Sequence, residues 1–173
     1  NVYGNNTYAP GVSAQLAAQQ PDVLVVSELT PRSASVYADG FRHAIARPVP
    51  GPGSTGDVGV YSDLPMRATP LPKALRAQRG VRVEIEGPDG PFVLYALHLQ
   101  KPGSAPSTVE VGFRTHRRIV NALVDAMRAE TLPVVVAGDL NLVDRTSGYR
   151  DLTGVVDDAM RDGWARPTTL KTN

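Results

Sequence analysis

Residues 133–141, Pro-Val-Val-Val-Ala-Gly-Asp-Leu-Asn, constrain the fold more than any other stretch. Residues 134–137 are small or β-branched apolar side chains with no polar residue alternating among them, the pattern of a core strand buried on both faces. Gly138 lets the backbone turn, and the strand then delivers Asp139 and Asn141. Ligands of open α/β sheets gather outside the carboxyl ends of the strands. A carboxylate and an amide at such an end are therefore functional candidates.

Two other strand-like runs end the same way. Residues 23–26 (Val-Leu-Val-Val) lead into Ser27-Glu28, and residues 92–97 (Phe-Val-Leu-Tyr-Ala-Leu) lead into His98. The second run pairs with residues 81–85, which alternate apolar and charged as a half-exposed strand does, and Pro88-Asp89-Gly90 supplies the hairpin turn. Shorter strands are expected over 41–47, 58–61 and 66–69. Helices are expected over 12–20, with Ser13 as N-cap, over 32–38 and as a turn over 149–152. The best helix covers 109–129, where Val120, Leu123, Val124 and Met127 share one face and Arg114, Arg117 and Arg118 lie elsewhere as a solvated face. Residues 48–57 read as loop on composition, and the chain after residue 152 as a weak, Pro- and Thr-containing tail. The whole is one α/β domain over 1–173.

If the three strand ends meet, Glu28, His98, Asp139 and Asn141 converge. Carboxylate oxygens suit a hard cation such as Mg²⁺ or Mn²⁺, whereas zinc would draw on more His or Cys. Cysteine is absent, which excludes thiolate metal sites, disulfides and a cysteine nucleophile. Such a cation, with His and Asn donors around it, stabilises charge on a phosphoryl group and activates water. Taken singly, Glu28 reads as a strand-end cap or ion pair, His98 as a satisfied structural histidine, and Asp139-Leu140-Asn141 as an Asx turn. His43 and His116 read as structural or surface residues. Only the joint placement of the site candidates at strand ends argues for chemistry.

The order of Asn1, Pro21-Asp22-Val23 leading to Glu28, Gly59-Val60 before Ser62, Leu97-His98, the arginine-bearing helix and Gly138-Asp139-Leu140-Asn141 resembles the endonuclease/exonuclease/phosphatase superfamily. That superfamily includes DNase I-like nucleases, sphingomyelinases and inositol-polyphosphate phosphatases. Gly-Asp-Leu-Asn is similar to its G-D-x-N motif, while Ser27 stands where it usually has Gln. The resemblance implies a four-layer αββα sandwich, two mainly antiparallel sheets flanked by helices, with the site at one rim. It implies that Glu28 ligates Mg²⁺ or Mn²⁺ with help from Asn1, and that Asp139 positions the attacking water or shares the metal. Asn141 would hold the nucleophile and phosphate, and His98 would donate to a non-bridging oxygen.

The family also ends in a strand and an Asp-His pair, and none of Asp157, Asp158 or Asp162 is followed by His. The expectation is therefore about the first two-thirds of a family domain, lacking the C-terminal strands and inactive if that pair is missing altogether.

The sequence thus predicts a metal-dependent phosphoesterase in which water attacks phosphorus in line. Two alternatives compete with it: a non-catalytic binding module on the same scaffold, and an unrelated α/β binding domain in which Gly-Asp-Leu-Asn is only a turn. A net charge of +1 argues against a dedicated duplex binder and leaves a small phosphodiester, a phospholipid head group or nucleic acid as the phosphate ester. No stable protein partner is expected, and the chain is expected to be monomeric. No apolar run reaches transmembrane length and no leader pattern is present, so the chain is expected to be soluble. The opening at Asn1, the absent cysteine and the Pro/Gly-rich loops favour a trimmed, extracytoplasmic protein.

Overall fold

A computed structural model describes residues 2, 8–46, 57–102 and 109–162. Along the described chain run α1 (Ala9–Ala17), β1 (Val23–Leu29), α2 (Pro31–Ala38), β2 (His43–Ala46), β3 (Asp57–Ser62) and β4 (Met66–Thr69). A 3-10 turn at Lys73–Leu75 leads to β5 (Arg79–Gly87) and β6 (Gly90–His98). Then come α3 (Val109–Arg128), β7 (Val134–Asp139), α4 (Ser147–Thr153) and the short α5 (Ala159–Asp162). Among the described residues, no helix is long and apolar enough to cross a membrane.

The strands form two sheets, of order β1-β3-β2 and β4-β5-β6-β7. Every pairing is antiparallel except β6 with β7. Side-chain alternation sorts the residues into three cores. On β6, Val93, Tyr95 and Leu97 face Val120, Leu123, Val124 and Met127 of α3. Leu94 and Ala96 point the other way and meet Val58 and Val60 of β3, with Val81, Val83 and Ile85 of β5 filling the space between the sheets. Outside the first sheet, Val26, Leu29 and Tyr61 pack on Ala9 and Tyr37 of the first two helices. The layers are thus helix, sheet, sheet, helix, the sandwich that the sequence resemblance implies.

Two sequence expectations need correction. The first helix begins at Ala9, with Pro10 in its opening positions, so Ser13 lies inside it. The Ser13 hydroxyl instead donates to the Val36 carbonyl at 3.0 Å and ties α1 to α2. The second correction concerns residues 134–137, which are not buried on both faces. Among the described residues β7 is an edge strand paired only with β6, and Val135 is 46% exposed. Val134 and Val136 pack toward α3 and Ala137 packs between the sheets. Val135 shares the face of Ala137 and stays about half exposed there.

A polar network closes the far side of the second sheet. Arg82 of β5 grips Glu130, just past α3, with Nε to Oε1 at 2.8 Å and a terminal nitrogen to Oε2 at 2.7 Å. The Tyr95 hydroxyl donates to the same Oε1 at 2.6 Å. Both charged side chains are 14% exposed, so the pair is shielded from water. Hydrogen bonding from Arg82 holds the Glu130 carboxyl below the ordinary carboxylate range, while burial of Tyr95 and its bond to Glu130 push that phenol up to about 12. A depressed carboxyl pKa stabilises the fold above its unfolded value, and that contribution fades as pH falls through the folded value. Glu130→Gln is therefore expected to cost about 2 kcal/mol at neutral pH. It should also flatten the loss of stability below roughly pH 4.5. Denaturant titrations at pH 7 and pH 3 check both effects, and equal losses at the two values would contradict the linkage.

Candidate metal centre

Three strands send one residue each to the same rim. In the parallel pairing of β6 with β7, His98 lies opposite Asp139 at the last register position. His98 has the parity of Leu94 and Ala96, and Asp139 that of Ala137, so both belong to the inner face between the sheets.

Glu28 arrives by a different device. Val26 pairs with Gly59 but Leu29 pairs with Asp57, so three residues of β1 stand against two of β3. Val26 and Leu29 both pack on the helix side, which strict alternation over three residues forbids. The extra residue is absorbed at Glu28, whose φ of +64° is left-handed. Without this bulge, alternation would turn Glu28 outward with Val26. With it, ligand atoms of Glu28, His98 and Asp139 all lie within 4.8 Å of one another.

The turn after β7 is equally specified. Gly138 has φ +124°, and a Cβ there would sit 2.1 Å from the Leu97 carbonyl oxygen, so only glycine lets the two backbones close up. The Leu99 amide donates to the Asp139 carbonyl at 2.9 Å. Asp139 Oδ1 accepts the Asn141 amide at 3.0 Å, an Asx turn, and Asn141 itself has φ +49°. The Asn141 side-chain amide donates to the Leu99 carbonyl at 2.8 Å and so points back to the end of β6. Left-handed non-glycine residues at both Glu28 and Asn141 store strain at this rim.

The donor set fits a divalent cation. Ligand atoms within 4.8 Å of one another are close enough for these side chains to converge on one ion by rotamer adjustment. His98 Nδ1 is buried and has no hydrogen-bond partner among the described residues. An orphaned buried nitrogen costs about 1–3 kcal/mol, which argues for a ligand at the site. The two carboxylates supply the oxygen donors that a hard cation takes, with the His98 imidazole beside them.

Of the residues singled out from sequence, Glu28, His98 and Asp139 meet, and Asn141 is tied to Asp139 and Leu99. Asn1 lies outside the described residues, as do residues 48–56 of the expected loop and 163–173 of the expected tail, while Asp57 begins β3; the Val2 amide donates to the Ser27 carbonyl at 3.1 Å, beside Glu28. Arg114, Arg117 and Arg118 are exposed, as expected of a solvated face. His116 is structural rather than surface: it is 5% exposed, and its Nε2 donates to the Leu140 carbonyl at 3.0 Å. Beyond His116, a cleft of about 280 Å³ is lined by Gln100, Lys101, Val111, Gly112, Thr115 and Ile119.

The sequence profile of the Endonuclease/Exonuclease/phosphatase family matches residues 1–173. A search of curated protein sequences finds no match. Similar solved structures include D. rerio TDP2 complexed with single strand DNA product, with TM-score 0.66 and 17% identity over 96% of this chain and 69% of that one. Beta toxin from Staphylococcus aureus, solved as a mutant with bound magnesium ions, superposes with TM-score 0.63 at 14% identity over 84% of this chain and 61% of that one. Sphingomyelinase C from Streptomyces griseocarneus has TM-score 0.56 and 18% identity, covering 86% of this chain and 63% of that one. The chain therefore spans somewhat under two-thirds of the length of the beta toxin and the sphingomyelinase.

Proposed function

The chain belongs to the endonuclease/exonuclease/phosphatase family, and from that membership we propose that it carries the metal-binding half of a phosphoesterase site, hydrolysing a phosphate ester with Mg²⁺ or Mn²⁺. The observation that supports this most strongly is the meeting of Glu28, His98 and Asp139 within 4.8 Å of one another.

In this reading the Glu28 and Asp139 carboxylates hold the cation, with Asn1 assisting as the resemblance implies. A divalent cation there would supply positive charge against the phosphoryl oxygens and ease deprotonation of water. Asp139 and Asn141, fixed to each other and to the end of β6, orient the attacking water in line with the leaving oxygen. His98 donates a hydrogen bond to a non-bridging oxygen, where negative charge grows in the transition state.

Neighbours solved with a DNA product or named as a sphingomyelinase make both nucleic acid and phospholipid reasonable ester classes. The protein carrying this chain is to be assayed on phosphodiesters and phosphomonoesters with Mg²⁺, Mn²⁺ or EDTA. Hydrolysis that requires the metal and stops in EDTA is expected. Equal turnover in EDTA, or none on any ester with either metal, would overturn the reading.

A further inference from the structure

We propose that His116 is a positioning residue, holding the Asp139–Asn141 turn in place from the helical layer packed on its sheet. The inference rests on the metal-site reading for its functional meaning, but its structural content stands by itself. The turn is bounded by Gly138 at φ +124° and Asn141 at φ +49°, conformations that must be held by outside contacts. Three of the bonds that hold it come from the turn itself or from the adjacent strand end: Asn141 amide to Asp139, Asn141 side chain to Leu99, and Leu99 amide to Asp139. Another comes from α3. A carbonyl can only accept, so Nε2 of His116 carries the proton that Leu140 receives at 3.0 Å.

Leu140 lies between the two residues whose side chains the site uses. His116 is among the buried residues of α3, one turn before Val120, is 5% exposed and borders the cleft lined by Gln100 and Thr115. A histidine placed there only for packing would be replaceable by leucine. One placed there for its donor would be replaceable only by a group that puts an N–H at the same reach.

Three variants separate these cases. His116→Gln carries an N–H at nearly the depth of Nε2, His116→Leu keeps the bulk without a donor, and His116→Asn has a donor that stops short. Amide hydrogen exchange at Leu99 and Asn141, both bonded to Asp139, reports the turn directly. Exchange should quicken roughly tenfold or more in the Leu and Asn variants, the scale of one lost buried hydrogen bond, and stay near the native rate in Gln. Mn²⁺ affinity should follow the same order. Native exchange rates in the Leu variant, or a Gln variant no better than Leu, would overturn the proposal. If the Leu variant fails to fold, the Gln and Asn pair decides alone. Failure of the native protein to bind Mn²⁺ would remove the metal-site reading while leaving the exchange result to judge His116.

Discussion

Replacing Glu28 or Asp139 with alanine is expected to abolish metal-dependent hydrolysis and to weaken Mn²⁺ binding by more than the roughly 10–100-fold that loss of an outer-shell group costs. The fold should survive. Two carboxylates within 4.8 Å of each other repel when no cation lies between them, and relief of that repulsion offsets the bonds lost with either side chain, including the Asp139 bond to the Asn141 amide. The two effects therefore separate, which a general disruption of the rim would not allow. A finer comparison exploits the bulge. At φ +64° an alanine is as strained as the glutamate it replaces, whereas glycine is not. Glu28→Gly should exceed Glu28→Ala in stability by about 1 kcal/mol and bind metal no better. Calorimetric titration with Mn²⁺, beside thermal melts, reads all of this. Native affinity in either alanine variant would contradict the assignment of that residue.

The second large effect is expected at Gly138. Its Cβ position falls 2.1 Å from the Leu97 carbonyl oxygen, a backbone atom that cannot rotate aside, and its φ of +124° is one that side chains rarely adopt. Gly138→Ala should cost about 2–4 kcal/mol. In a chain of this size that corresponds to a melting temperature lower by about 5–15 °C. Relief can come only by parting β7 from β6 where His98 faces Asp139, so metal affinity should fall with stability. Gly154→Ala is the control. It lies past α4 with nothing closer than 3.4 Å to the added carbon, and it should melt within a degree or two of the native protein. A Gly138→Ala protein that melts and binds Mn²⁺ like the native one would show that the close approach is not required.

Much of this architecture is legible in the sequence, for identifiable reasons. The alternation of residues 81–85, the turn at Pro88-Asp89-Gly90 and the run to His98 depend on local patterning, and β5 and β6 form the hairpin that patterning predicts. The apolar face of α3 was equally explicit, with Val120, Leu123, Val124 and Met127 all buried. Glu28, His98 and Asp139 each end a strand-like run in the sequence, and the structure brings those three ends within 4.8 Å.

What could not be read depended on neighbours. Residues 134–137 are apolar enough for a central strand, yet among the described residues β7 has β6 on one side only, and no local signal reports which side lacks a partner. The parallel pairing that sets His98 opposite Asp139 is a long-range register with no turn residue to announce it. The bulge at Glu28 was invisible because the residue is not glycine, although it is what aims the carboxylate inward. His116 carried a faint signal, a histidine on an otherwise apolar helix face, which by itself fits a structural residue as well as a positioning one.

The central claim is that Glu28 and Asp139 bind one divalent cation beside His98. Anomalous scattering from crystals of this chain soaked in Mn²⁺ tests it most directly. One strong peak is expected between the Glu28 and Asp139 carboxylates, at about 2.0–2.2 Å from an oxygen of each, and it should vanish in Glu28→Ala crystals. No peak at that rim under saturating Mn²⁺, or a peak coordinated by neither carboxylate, would contradict the account.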